Sequence, residues 1–190
     1  MSGNNAFVSS IATLLITSSA VLGLAWLALR RADGPIGPLA GGALRTGPLL
    51  DPAHTQWSTL IAPETVQVIE LQLEQPVSSR LVGVFVHEGK LYAACDLGFV
   101  GYRAPGRIMA LIQGIVLTVK RWHLHAERDG RVVVRLAGNR YRCQAQRVKD
   151  QNLQATFEAL ALKNGERFFG TLRPPRRPGT IWFFQLAPRD

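Results

Sequence analysis

The run Ala6 to Leu29, AFVSSIATLLITSSAVLGLAWLAL, carries no charged side chain over 24 residues, and this limits what the chain can become more than any other feature. A helix crosses a hydrocarbon core with about 20 residues. The serines and threonines in the run can bond back to their own helix. Trp26 stands near the end, where an indole prefers the membrane interface, and Arg30 and Arg31 follow as a stop. The pattern predicts a transmembrane anchor over residues 6–29. The rival, a cleaved secretory signal, needs a basic leader and a shorter apolar core, and residues 1–5 hold no Lys or Arg. A buried soluble helix is the remaining reading, but such helices rarely run this far without a charge.

Orientation follows from charge. Arg30, Arg31 and Arg45 lie after the run and only the amino terminus lies before it. The positive-inside rule then predicts a single-pass protein of a bacterial-type inner membrane with its domain in the cytoplasm, a periplasmic domain being the alternative.

The chain has 22 Lys and Arg against 13 Asp and Glu, a net charge of +9 and a pI near 10.5. All the basic residues follow the apolar run. A basic domain beside a membrane is drawn to anionic lipid head groups or phosphates. No basic run interleaved with aromatics appears, so nucleic acid is not an expected partner. The two cysteines, Cys95 and Cys143, form no CxxC pair and support no zinc site. They are either a disulfide on an oxidising side or free buried thiols.

Residues 30–62 are rich in Gly and Pro and read as a tether between anchor and domain. From residue 63 to 190 the pattern turns to strands. In VQVIELQLE, Ile69, Leu71 and Leu73 alternate with Glu70, Gln72 and Glu74. RLVGVFV (80–86) and KLYAAC (90–95) form a hairpin through His87-Glu88-Gly89. RVVVRLA (131–137) and RYRCQAQRV (140–148) form a second through Gly138-Asn139, with Tyr141, Cys143 and Ala145 on one face and Arg140, Arg142 and Gln144 on the other. Asp150 caps a helix over NLQATFEALALKNG that closes at Asn164-Gly165, with Phe157, Leu160 and Ala161 as its core stripe. A basic loop, Arg173 to Gly179, leads to a last strand, TIWFFQL (180–186). Between the hairpins, Ile108 to Val119 is uncharged and too short to span a bilayer. It is either a helix buried against the domain or one lying in the membrane interface.

The other chemistry-bearing residues form no recognisable site. His123 and His125 share a face on a strand but not on a helix, and nothing is arranged to complete a metal site around them. His54 and His87 read as solvated. Ser78 and Ser79 lack the strand-turn-helix setting of a hydrolase nucleophile. No phosphate-binding glycine loop or dinucleotide fingerprint occurs.

The order strand, hairpin, crossing segment, hairpin, helix and aromatic strand, with the stretches GKLYAACDLG, KRWHLHAERDGRVVVRLAGNRYRCQAQRVKD and IWFFQLAPR, resembles the pyridoxamine-phosphate-oxidase-like split β-barrels over about residues 64–189. The likeness is nearest to their deazaflavin-dependent nitroreductase-like branch and its membrane-anchored relatives. It implies an α+β chain: a transmembrane helix, then a split β-barrel of about six strands with one or two packed helices. It also implies a homodimer and a flavin (FMN) or deazaflavin cofactor. Carried onto this sequence, Lys120, Arg121 and Trp122 match the phosphate-side segment, and Asp96, Leu97 and Gly98 match the loop after the hairpin strand. Arg forks suit phosphate oxygens and an indole can cover a ring. The sequence departs from the family at the apolar insertion 108–119 and at His123, where a polar amide is usual. Lys120 and Arg121 also read simply as anchors of an apolar helix. No general acid or base stands out, and catalytic residues stay unnamed. Two functions follow: a membrane-attached flavin- or deazaflavin-dependent oxidoreductase, or a non-catalytic barrel that binds a small anionic or lipid-like ligand or scaffolds a membrane complex.

Overall fold

The computed structural model of the chain describes residues 3–37, 39–63, 65–96, 121–169 and 181–189. Helix α1 runs from Gly3 to Arg31, with Arg30 and Arg31 in the last turn, where cations complement the helix dipole. Its side chains are described from Ile16 onward. Among the described residues no helix is long and apolar enough to cross a membrane, so the transmembrane span expected over residues 6–29 is not found. The described half is nonetheless apolar and uncovered. Ile16, Val21, Leu22, Leu24, Trp26 and Leu27 are all exposed. The Arg30 guanidinium lies 4.8 Å from the Trp26 ring centroid and its Nη1 donates to the Val77 carbonyl at 3.5 Å.

The stretch expected to act as a tether lies on the domain. Gly41 and Ser79 exchange backbone hydrogen bonds of 3.0 and 3.1 Å. Leu44 is buried, and its N–H donates to Gln72 Oε1 at 2.7 Å. The two-residue strand β1 (Leu49–Leu50) follows, then a 3-10 turn (Pro52–His54) and the short helix α2 (Trp57–Leu60). Trp57 and Ile61 are buried, with Trp57 edge-on to Tyr141 at 5.0 Å. The glycines here serve close approach rather than slack. A Cβ on Gly41 would sit 1.7 Å from the Gly34 carbonyl oxygen, and one on Gly47 would sit 2.1 Å from that of Gly138. Composition shows only that a glycine is present, and these two are needed because backbone meets backbone.

The remaining strands are β2 (Gln67–Leu73), β3 (Ser78–His87), β4 (Lys90–Asp96), β5 (Arg131–Leu136), β6 (Asn139–Arg147) and β7 (Ile181–Pro188). Their order is β6-β5-β2-β3-β4-β7, and β7 pairs back onto β6, closing a six-stranded antiparallel barrel. β1 lies parallel to β6 through Leu49↔Arg140 and Leu50↔Tyr141. Each of the six strands pairs on both sides over part of its length, and edge left over at Ser79 of β3 and at Arg140 and Tyr141 of β6 is taken by Gly41 and by β1. The inward rows are those the alternation predicted: Ile69, Leu71 and Leu73 on β2 and Tyr141, Cys143 and Ala145 on β6 are all buried.

The second hairpin turns one residue earlier than predicted. Leu136 pairs with Asn139, so Ala137 and Gly138 make the turn at φ +50° and +79°. The bond from Arg140 N–H to the Pro48 carbonyl at 2.8 Å, together with the β1 pairing, holds β6 in this register. The cost falls on Ala137, a residue with a Cβ in the left-handed region. Ala137→Asn should therefore raise stability by about 0.5 kcal/mol, readable as a shift of the denaturation midpoint. An unchanged or lower midpoint would contradict this turn.

Helix α3 (Trp122–Arg128) packs at one end of the barrel through Trp122, His123 and Ala126. Helix α4 (Gln151–Phe169) is capped as expected: Asp150 Oδ1 accepts from the N–H groups of Asn152 and Leu153, both at 2.9 Å. It continues through Asn164-Gly165, the predicted stop. A glycine inside a helix costs only about 1 kcal/mol relative to Ala, which need not end it. Phe157 is fully buried, and Leu160 and Ala161 flank it against Phe85, Tyr92, Ile181 and Phe183 on the outside of the barrel. The segment Ile108–Val119 and the loop Arg173–Gly179 lie outside the described residues.

Arg135, on the outer face of β5, ties the post-helix segment to the barrel. Its Nε pairs with Glu70 Oε2. Its Nη1 donates to Asp33 Oδ2 at 2.9 Å and to Thr46 Oγ1 at 2.7 Å. Burial pushes the Asp33 pKa up, but the Arg45 N–H at 2.5 Å, Thr46 and Arg135 outweigh it and hold this carboxyl well below the usual range.

Candidate functional site

Where β2, β5, β6 and β7 run past one another, four charged side chains converge on the outside of the barrel. Glu74 follows β2, Arg131 opens β5, Arg142 lies mid-way along β6 and Arg189 follows β7. Pairing sets their positions. Glu74 N–H donates to the Arg131 carbonyl at 3.1 Å, and Arg189 N–H donates to the Arg142 carbonyl at 3.3 Å. On β6, Arg142 is two residues before Gln144, which faces Arg131. The alternation that buries Tyr141 and Cys143 turns Arg142 outward.

These residues line an open depression of about 390 Å³. A second, of about 230 Å³, shares Arg142 and Arg189 and adds Leu49, Leu50, Asp51 and Pro52. Two of the guanidinium groups have carboxylate partners. Arg131 grips Asp129 with Nε at 2.6 Å and Nη2 at 2.9 Å. That contact raises the pKa of Arg131 and lowers that of Asp129. Arg189 Nη2 pairs with Glu74 Oε1. The third, Arg142, is exposed and makes no side-chain hydrogen bond or ion pair among the described residues. Arg189 Nη1 is buried without an acceptor among them. A buried donor left unmade costs about 1–3 kcal/mol, and an incoming anion would remove that cost. The arrangement is suited to holding an oxyanion on forked donors.

Of the residues predicted from sequence, Asp96, Arg121 and Trp122 are described, and none of them lines either depression. Lys120, Leu97 and Gly98 lie outside the described residues. Asp96 ends β4 opposite Ile181. Arg121 is exposed just ahead of α3. Trp122 is 3% exposed and packs its ring 5.4 Å from Phe184. His123 is buried edge-on to Trp182 at 4.9 Å, and on the helix it does not share a face with His125. His54 is exposed and bonds Asp51. His87, expected to be solvated, packs 5.1 Å from the Phe157 ring. No metal-holding group of three His, Cys, Asp or Glu occurs among the described residues.

Cys95 and Cys143 are buried thiols that are not joined in a disulfide. Burial pushes the Cys143 thiol up to about 12, against a small opposing pull from Arg189. The thiolate is the reactive form, so Cys143 should resist alkylation at pH 8 in the folded protein and react in denaturant. Rapid native labelling of Cys143, read by peptide mass spectrometry, would contradict its burial.

Sequence reasoning missed Glu74, Arg131 and Arg189 as a group. Arg142 and Glu74 each carried a signal singly, as a charge on the wet face of a strand.

No protein-family model and no curated protein matches the chain. Among solved structures, a pyridoxamine 5'-phosphate oxidase-like protein from Listeria innocua is similar over 65% of this chain and 85% of that one, with 13% sequence identity and a TM-score of 0.37. A likeness at that level carries neither fold family nor activity over to this chain.

Proposed function

We propose that this chain is a split-barrel binding protein, attached to a membrane through α1, that takes a small phosphate-bearing anion in the depression between Arg131, Arg142 and Arg189. The observation that carries the reading is Arg142, an outward guanidinium with no described partner, beside an Arg189 donor that has none either. Inside the barrel, side chains from all six strands fill the core, which favours an outside site. Attachment is supported by the uncharged Ala6–Leu29 run and by the exposed apolar side chains of α1 from Ile16 on, because a large exposed apolar patch seeks an apolar surrounding. By the charge rule, the barrel then faces the cytoplasm.

The test is titration of the detergent-solubilised full chain with inorganic phosphate, followed by calorimetry. Arg142→Ala should weaken binding by about tenfold or more, since a charge-assisted bond is worth roughly 1.5–3 kcal/mol. Wild-type protein that shows no saturable phosphate binding would end this reading.

A second reading, a flavin- or deazaflavin-dependent oxidoreductase, is favoured by the closed six-stranded antiparallel barrel together with the sequence stretches quoted above. Trp122, in the expected cofactor segment, is buried. A flavin or deazaflavin absorbance band in the purified protein, lost with Lys120→Ala/Arg121→Ala, would support it over the first.

A further inference from the structure

The two depressions share Arg142 and Arg189 but differ in chemistry. Among the described residues, the first is lined by charged side chains alone. The second extends it over Leu49 and Leu50, which are 43% and 42% exposed, and ends at Pro52 and Asp51. β1 is too short to shelter its own leucines, and its pairing with β6 presents them beside Arg142. The Asp51 carboxylate is held in place by the Ala53 N–H and by His54 Nδ1, both at 2.8 Å. A second anionic group at that end of the ligand would be repelled.

We infer that the ligand is a single-headed phosphomonoester with an apolar tail: the phosphate sits among Arg131, Arg142 and Arg189, and the tail lies across Leu49 and Leu50. This rests on the anion-binding reading above and narrows it. Inorganic phosphate fills only the first depression, whereas an alkyl phosphate also removes leucine surface from water. Each methylene so covered should tighten binding about twofold, less than the full effect because the groove is open. A bisphosphate of equal length gains nothing from its far end.

The same chemistry could come from a soluble metabolite or from a lipid with a monoester head group. Position allows the second. Glu74 is three residues before Val77, whose carbonyl accepts from Arg30 at the end of α1. Three residues span at most roughly 10 Å, so the depression opens close to the last turn of that helix.

The experiment uses the full chain in an uncharged detergent and in phosphatidylcholine nanodiscs, titrated with inorganic phosphate, then ethyl, butyl and hexyl phosphate. Affinity should rise along the series, and Leu49→Ser/Leu50→Ser should flatten the rise while leaving inorganic phosphate binding within about twofold. Wild-type protein that binds inorganic phosphate but shows no gain with chain length overturns the inference alone, even if the leucine variant fails to fold. Protein that does not bind inorganic phosphate or any of the alkyl phosphates overturns the anion-binding reading with it. Both remaining outcomes support the inference and separate the sources: phosphatidic acid added to the nanodisc either displaces hexyl phosphate, marking a lipid ligand, or leaves it bound, marking a soluble one.

Discussion

Phe157→Ala should cost the protein about 3–5 kcal/mol of stability, the usual range for emptying a buried aromatic site. Phe157 is fully buried and packs α4 against the barrel. Its ring lies 4.7 Å from Tyr92, 4.9 Å from Phe85 and 5.4 Å from Phe183, so one side chain touches three strands. Leu153, Leu160 and Ala161 are only partly buried and cannot fill the space. Urea unfolding followed by circular dichroism measures the loss. A cost under about 1 kcal/mol would mean that α4 is not held by this residue. Amide exchange at Val148, whose N–H donates to the Phe183 carbonyl at 2.9 Å, should speed up as the helix loosens.

Arg135→Met should cost about 2–3 kcal/mol at neutral pH. The side chain is 15% exposed and gives its donors to Glu70, Asp33 and Thr46. Removing it leaves two carboxylates close together without their shared cation. Deleting one member of a buried ion pair typically costs about 3–5 kcal/mol, and these carboxylates, at 25% and 30% exposure, keep enough water to lower that. The pH dependence has a definite sign. Asp33 is held below its ordinary pKa, so its contribution is complete above the usual carboxylate range, near pH 4, and is lost as the pH falls through the depressed value. In the variant, protonation instead relieves the repulsion between the carboxylates. The gap between wild type and Arg135→Met should therefore narrow from pH 7 to pH 3. A gap that is constant or widens would show that Arg135 acts through packing alone.

The barrel was legible in the sequence because a strand with one dry face must alternate. Ile69, Leu71 and Leu73 announced theirs, as did Tyr141, Cys143 and Ala145. The α4 cap was legible because an aspartate ahead of a helix has few other uses. Residues 32–62 were not, because the same Gly and Pro content suits a loose linker and a backbone pressed against another backbone. Only the neighbour of Gly41 or Gly47 tells the two apart. The depression was illegible for a different reason. Glu74, Arg131, Arg142 and Arg189 come from four strands, and nothing in their spacing says that β7 closes onto β6. At Trp122 a local motif was visible, but the burial of its side chain was not.

The wrapping of residues 32–62 bears on how the barrel can be isolated. Asp33 belongs to the Arg135 cluster, Gly41 extends the edge of β3 at Ser79, Leu44 fills a core position, and Trp57 covers Tyr141. A fragment starting at the first long strand would discard all of these. A fragment that keeps the fold must therefore begin no later than Ala32, immediately after the last turn of α1. Shortening it further would remove part of the fold.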